Sequence, residues 1–160
     1  MLTTINEFLN GSGLPISDEI SDAKLGYCIK TAEMYLLKPR LGDEMYIAIN
    51  NDPTTYYEVL NGGIVEKEEH GETKQYYLNG LKSAVFELAF ARLLMDNVTA
   101  TIFGSVIKKD DYSDQIGFDD LYMVAKQHTE VGLQYIDEVC DYLGINNKDR
   151  NCPSWTEEFI

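Results

Sequence analysis

The residues best suited to chemistry in this chain are acidic, and they concentrate between two strongly helical stretches. The segment TATIFGSVIKKDDYSDQIGFDD, residues 99–120, carries Asp110, Asp111, Asp114, Asp119 and Asp120. An EF-hand calcium loop requires Gly at its sixth position and Glu at its twelfth, and counting from either of the first two aspartates satisfies neither requirement. The pattern therefore favours solvated charge, with Asp119 and Asp120 placed at the positive end of the following helix.

Histidines and cysteines are too few and too scattered to indicate a metal or redox centre. Neither His70 nor His128 has another His or Cys at metal-ligand spacing, and we expect His128 to be a satisfied core or interface histidine. Cys28, Cys140 and Cys152 form neither a CxxC pair nor a disulfide framework, and the first two should be buried in helices as small hydrophobes. No nucleophile elbow, dinucleotide-binding fingerprint or Walker motif occurs. We expect no cofactor and no catalytic site.

The charge balance argues against two classes of partner. The chain has 13 Lys and Arg against 27 Asp and Glu, a formal net charge of −14. Proteins that clamp nucleic acid or lie on anionic membranes need basic patches, which this composition can hardly supply. The longest apolar stretch is too short to span a bilayer, and the N-terminus lacks the basic region of a signal peptide. An acidic surface can still let DNA slide past without gripping it.

The hydrophobic pattern predicts a mainly α fold, a helical bundle with two long helices, several short helices, one β-hairpin and a long inter-helix loop. The predicted elements are a short capped helix from Thr4, helices over 18–38, 43–50, 52–61, 79–97 and 118–143, and a hairpin over 64–78. Ser17 is the predicted cap of helix 18–38, Glu33 lies off its apolar stripe, and Pro39 and Gly42 break the pattern. Residues 1–145 form one predicted domain with a loop at 99–117, and residues 146–160 form a C-terminal tail.

The long loop has residues suited to gripping a partner. Loops of this length are usually functional or disordered. Gly104 and Gly117 supply hinges, and an apolar cluster comprises Ile102, Phe103, Val106 and Ile107. Exposed apolar clusters usually mark contacts, which predicts a contact arm, although the cluster could instead fold back onto the subunit's own core. On the tail, we expect an aromatic and apolar set to dock on a partner: Trp155, Phe159 and Ile160.

The order of these elements resembles a known family. A T-x-x-G-x-V-x-K motif with a Tyr-Ser pair shortly after it leads into a long amphipathic helix ending YLG; its residues are Thr101, Gly104, Val106, Lys108, Tyr112 and Ser113. Over about residues 17–145, this resembles the helical head–tail connector (adaptor) proteins of tailed bacteriophages and Bacteroidetes prophages. The first domain is then connector-like.

The resemblance implies a non-enzymatic structural subunit of the virion. Such subunits assemble in the bacterial host cytoplasm as a ring, usually twelve-fold, beneath the portal protein, and extend the DNA channel to the tail or neck. The implied partners are further copies of the chain, the portal and tail or neck proteins, with DNA passing unbound and no membrane involved. The implied contact residues are Ile102, Phe103, Gly104, Val106, Ile107, Lys108, Tyr112 and Ser113. The alternatives are a monomeric protein-interaction or tail-completion module and, more remotely, a metal-dependent enzyme using the loop aspartates.

Overall fold

A computed structural model of the chain describes residues 1–17, 20–69, 71–96, 98–101, 104–107 and 118–145. The fold is mainly α with an antiparallel β-hairpin, which confirms the predicted fold class. The helices are α1 Ile5–Gly11, α2 Asp22–Thr31, a π-helical segment Ala32–Leu37, α3 Lys38–Leu41, α4 Asp43–Asn51, α5 Tyr57–Asn61, α6 Leu81–Asp96 and α7 Phe118–Leu143. The strands are β1 Gly63–Glu69, β2 Glu72–Leu78, β3 Val98–Thr101 and β4 Gly104–Ile107.

The helical run from α2 to α3 differs from its prediction at both ends. Ser21 caps α2, its side chain accepting from the Lys24 amide, so the cap predicted at Ser17 is wrong. Helical structure also continues through Pro39, where a break was expected, and stops at Gly42 with φ 84°. Proline removes a donor and crowds the carbonyl four residues earlier. The π-helical segment immediately before Pro39 shifts the hydrogen bonding by one residue, with the Lys38 amide donating to the Glu33 carbonyl.

The hairpin β1–β2 confirms the prediction for residues 64–78. Its register runs from Gly63 opposite Leu78 to Glu69 opposite Glu72. One face packs inward, with Val65 buried, and the Lys67 ammonium donates to the Tyr142 carbonyl of α7 at 3.0 Å. The hairpin is thereby fixed against the C-terminal end of α7.

Helix α6 is the centre of the core, as its nearly uniform apolar sequence predicted. Its buried residues are Leu81, Ala84, Val85, Phe86, Leu88, Ala89, Phe90, Ala91 and Leu93. Helix α7 packs along it and has the predicted limits of 118 and 143. Cys28 and Cys140 are both buried, as expected, and burial raises the pKa of the Cys28 thiol to about 11. Such a thiol is protonated and unreactive at neutral pH.

A second hairpin lies where only a loop was expected. Strands β3 and β4 pair antiparallel, with Val98 opposite Ile107 and Thr101 opposite Gly104. Valine and threonine make up three of the four residues of β3, and valine and isoleucine two of the four of β4; β-branched side chains favour extended backbone. Part of the predicted loop 99–117 is therefore a β-ribbon.

Candidate contact site

The candidate site is the end of the α6–α7 pair from which the second hairpin extends. Asn79 donates to Glu138 at 2.8 Å, and His128 Nδ1 lies 2.5 Å from a Glu87 carboxylate oxygen. Residue 79, just before α6, thus contacts residue 138, and residue 87 contacts residue 128, so the two helices are antiparallel. The C-terminal end of α6 and the N-terminal end of α7 consequently lie at the same end of the pair, and the β3–β4 ribbon begins there.

The root of this ribbon is held firmly by neighbouring side chains. The Lys24 ammonium of α2 donates to the Asp96 carbonyl at 3.1 Å, which satisfies an open acceptor at the C-terminus of α6. Arg92 pairs with the Asp96 carboxylate at 3.1 Å, and the side chains of both are largely buried. The last turn of α6 is therefore tied to α2, and it gives the ribbon a fixed starting point.

The ribbon itself is short. Each strand has four residues, so at about 3.3 Å per residue it extends roughly 13 Å. A two-stranded hairpin is marginally stable in water unless it packs against another element. Within the described residues, β3 and β4 form a sheet of two strands, with β3 adjoining α6.

The structure describes three of the predicted contact residues. Gly104, Val106 and Ile107 lie in β4. Five others lie outside the described residues: Ile102, Phe103, Lys108, Tyr112 and Ser113. The predicted tail residues also lie outside them: Trp155, Phe159 and Ile160. The β4 residues thus lie in the ribbon that follows α6, and the contact role of all the named residues stays a prediction.

Two exposed apolar side chains near the N-terminal end of α7 were missed from the sequence. Met123 is 60% exposed and Val124 is 41% exposed, both within the first two turns of α7. Their neighbour Ala125 is buried against the core. The signal was the continuous apolar run from Leu121 to Ala125, which is wider than one helix face can bury.

A polar pocket lies on another part of the helical pair. It has a volume of about 220 Å³ and is lined by Gly11, Ser12, Asn79, Ser83, Phe86, Glu87 and Tyr135. Burial, followed by the Glu87 and Glu138 charges, raises the pKa of the Tyr135 phenol. His128 is half-buried beside the pocket residue Glu87, with its ring edge-on to Phe90 at 4.8 Å. His128 is therefore a packed, hydrogen-bonded histidine, as the sequence predicted. Within the described ranges, no group of three His, Cys, Asp or Glu side chains could hold a metal ion.

The most unusual titratable group is Glu33, which the sequence analysis placed wrongly. It was predicted to lie off the apolar stripe, yet it is 0% exposed. One carboxylate oxygen accepts from the Leu2 and Thr3 amides at 2.9 and 3.2 Å, and the other accepts from the Tyr46 hydroxyl at 3.0 Å. Burial raises the pKa of Glu33, while the bond from Tyr46 opposes the shift. Glu33 therefore anchors the N-terminal segment to α4.

The pKa of Tyr46, which contacts Glu33, is raised as well. Burial, followed by the neighbouring Glu33 charge, raises the pKa of the Tyr46 phenol to about 12. The phenol therefore keeps its proton at neutral pH and remains a donor to the carboxylate. The pair is closed off by the protein's own backbone, which makes it a structural anchor.

Among the helices in the described ranges, none is sufficiently long and apolar to cross a membrane.

Neither the curated proteins nor the solved structures contain a match to the chain. Residues 37–158 match DUF6712, a family of unknown function. The match covers 122 of the 160 residues, from α3 through the ribbon and α7 into the tail. The chain belongs to the DUF6712 family.

Proposed function

We propose that this chain is a structural subunit of a phage or prophage virion, a head–tail connector that forms a ring under the portal and extends the DNA channel to the tail. In this function the β3–β4 ribbon and the segment after it form the contact arm, and a neighbouring copy receives it. The proposal requires no catalytic residue.

The observation that carries the proposal is the exposed apolar surface at the end of the α6–α7 pair where the short β3–β4 ribbon begins. The ribbon has only four residues in each strand, and Met123 and Val124, near the N-terminal end of α7, leave apolar surface in water. A short ribbon gains stability when a second surface covers it, and an apolar patch gains free energy at roughly 25 cal/mol per Å² when it is buried. A neighbouring subunit would supply both effects.

Charge and symmetry agree with the proposal. A closed ring uses head-to-tail contacts, so the arm and its acceptor are different surfaces of the same chain. The net charge of −14 would give a channel wall that repels DNA phosphates. DNA could then move through the ring without being bound.

Assembly is the property to test. The purified chain, alone and mixed with a phage portal protein, is followed by sedimentation velocity and negative-stain imaging. Phe103→Asp and Val106→Asp should abolish rings, because each places a charge in the arm. The triple change of Asp110, Asp111 and Asp114 to Ala is the matched control, and it should leave assembly intact.

The outcomes separate the alternatives. Portal binding by a persistent monomer would favour the monomeric interaction module. Rings that tolerate both arm variants would show that another surface makes the contact. A catalytic activity lost in the triple-alanine variant would instead support the metal-dependent enzyme.

A further inference from the structure

A groove opens at the junction of α3 and α4, on a part of the molecule that the proposed arm does not use. It has a volume of about 350 Å³ and is lined by Leu41, Gly42, Asp43, Glu44, Met45 and Ile145. At about 30 Å³ per water molecule, this is the space of roughly a dozen waters, enough for one large side chain.

The lining combines an apolar wall with an acidic rim. Leu41 is buried, and Met45 and Ile145 are half-buried. Asp43 and Glu44 are exposed in the first turn of α4, and Asp43 makes a solvent-exposed ion pair with Lys38 at 3.4 Å. An exposed pair of this kind contributes little, so the rim stays open to another cation.

The end of α7 brings the chain to this groove. The Ile145 amide donates to the Cys140 carbonyl at 2.8 Å, and the Gly144 amide donates to the Asp141 carbonyl at 3.1 Å. With Gly144 at φ 70°, these bonds form a Schellman motif that ends the helix and turns the chain. Ile145 is consequently both the last described residue and part of the groove wall.

We propose that this groove binds the chain's own C-terminal tail, residues 146–160, with the Trp155 side chain as its apolar anchor. This inference does not depend on the proposed ring, because it concerns contacts within one subunit. It assigns Trp155 to its own subunit, in place of the partner that the sequence predicted for it.

Reach and charge favour this occupant. Trp155 follows Ile145 by ten residues, a contour of up to about 33–36 Å, which is ample for folding back onto the groove. Lys148 and Arg150 come three and five residues after Ile145, within about 10–18 Å along the chain. Asp149 lies between these two cations, and the other acidic residues of the tail, Glu157 and Glu158, follow Trp155. With two cations and one anion, the part of the tail before Trp155 carries a net charge of +1, which suits the rim formed by Asp43 and Glu44.

The family match gives independent support. It begins at residue 37 and ends at 158, so it includes the groove residues and continues 13 residues past Ile145, beyond Trp155. The N-terminal 36 residues lie outside it, even though Phe8, Leu25 and Ile29 belong to the core. The part of the chain that matches the family thus includes both the groove and most of the tail.

The test uses Trp155 as its own reporter, since it is the only tryptophan in the chain. In the full-length folded protein, we expect a blue-shifted emission and a lower acrylamide quenching constant than in the urea-unfolded protein. Met45→Glu should move both values toward those of the unfolded chain. Tyr27→Glu, which places the same charge at a 53% exposed site on α2, should leave them unchanged.

A charge reversal provides the second arm of the test. Glu44→Lys should weaken the shielding of Trp155, whereas Glu58→Lys, also an exposed residue in a first helical turn, should not. This pair keeps the proposal testable if Met45→Glu does not fold, which far-UV circular dichroism would reveal.

Three results would overturn the inference. Trp155 could be as quenchable in the folded as in the unfolded chain. Its shielding could survive both groove variants, which would place it elsewhere. Shielding that is lost on dilution would mean that the groove or tail pairs with a second copy. Ring assembly is measured separately by sedimentation, so failure of this inference and failure of the proposed function remain distinguishable.

Discussion

Replacing Gly132 with alanine should destabilise the protein, although glycine-to-alanine changes within helices ordinarily stabilise. A Cβ at this position would lie 2.7 Å from Leu88 Cγ, 2.9 Å from Leu88 Cδ2 and 3.0 Å from the Ala84 carbonyl oxygen. Leu88 is buried, and the carbonyl belongs to the backbone of α6, so neither neighbour can simply rotate away. The two long helices would have to move apart.

The expected magnitude follows from two opposing effects. Alanine is favoured over glycine within a helix by about 0.5–1 kcal/mol. Overpacking a well-packed core costs about 1–3 kcal/mol. The net change for Gly132→Ala should therefore be a loss of roughly 0.5–2 kcal/mol in the free energy of unfolding.

Gly26 in α2 is the matched control. A Cβ there would meet only Ile5 Cδ1 among its neighbours within 4 Å, at an ordinary 3.7 Å. Gly26→Ala should therefore raise the free energy of unfolding by about 0.5–1 kcal/mol. Urea unfolding followed by far-UV circular dichroism measures both variants against the parent, provided that the m-values agree. If Gly132→Ala stabilises as much as Gly26→Ala, the close approach of α6 and α7 is wrong.

The other predictions concern buried or paired carboxylates. Glu33→Ala removes the acceptor of two amides and of the Tyr46 hydroxyl, so it should lower the free energy of unfolding by about 2–4 kcal/mol. Glu33→Gln keeps one acceptor oxygen and should lower it by less in the same urea titration. Burial raises the folded pKa of Glu33, so protonation of this carboxyl stabilises the folded state. That contribution is complete below the unfolded pKa of about 4.3 and is lost as pH rises through the folded pKa. The free energy of unfolding of the parent relative to Glu33→Gln should therefore fall between these two pKa values, and a difference that does not change with pH would contradict this. The pH dependence of stability that comes from Glu7 has the opposite sign, because the hydrogen bond from Lys82 lowers the pKa of this carboxyl. The stabilisation from Glu7 is therefore present above its unfolded pKa and is lost as pH falls through the folded pKa. Lys82→Met should reduce that acid sensitivity, leaving the part due to the Thr4 hydrogen bonds, at a cost of at most about 1 kcal/mol near neutral pH, since the pair is partly exposed.

The spacing of apolar residues in the sequence correctly predicted the longest helix and the first hairpin. The limits of α7 and the existence of the β1–β2 hairpin followed from hydrophobic spacing and turn residues. The Thr4–Glu7 capping box is likewise present, with the Glu7 carboxylate accepting from the Thr4 amide at 2.8 Å. Such features are local, so the residues that determine them are adjacent in the chain.

The features that were missed depend on tertiary contacts. Glu33 is buried because amides from the N-terminus and a hydroxyl from α4 reach it, and those partners lie 13 to 31 residues away. The π-helical segment that lets the helix pass through Pro39 has no periodic signature. The β3–β4 ribbon has a β-branched composition that could have revealed it, but the search for metal and contact residues treated the segment as a loop.

The candidate site was predicted in part. The segment between the two long helices was predicted to be a contact arm, which stays a prediction, and Gly104, Val106 and Ile107 lie in the second strand of its ribbon. Met123 and Val124 were overlooked, because helical periodicity indicates which positions of α7 are buried. Which apolar side chains stay exposed is determined by how the helix packs in the folded chain.

The mass of the assembled particle tests the central claim most directly. Sedimentation velocity of the purified chain over a concentration series, with and without its portal, should show a discrete species with the mass of a closed ring, which Phe103→Asp abolishes. A species with the mass of one chain at every concentration, unchanged by the portal, would contradict the account.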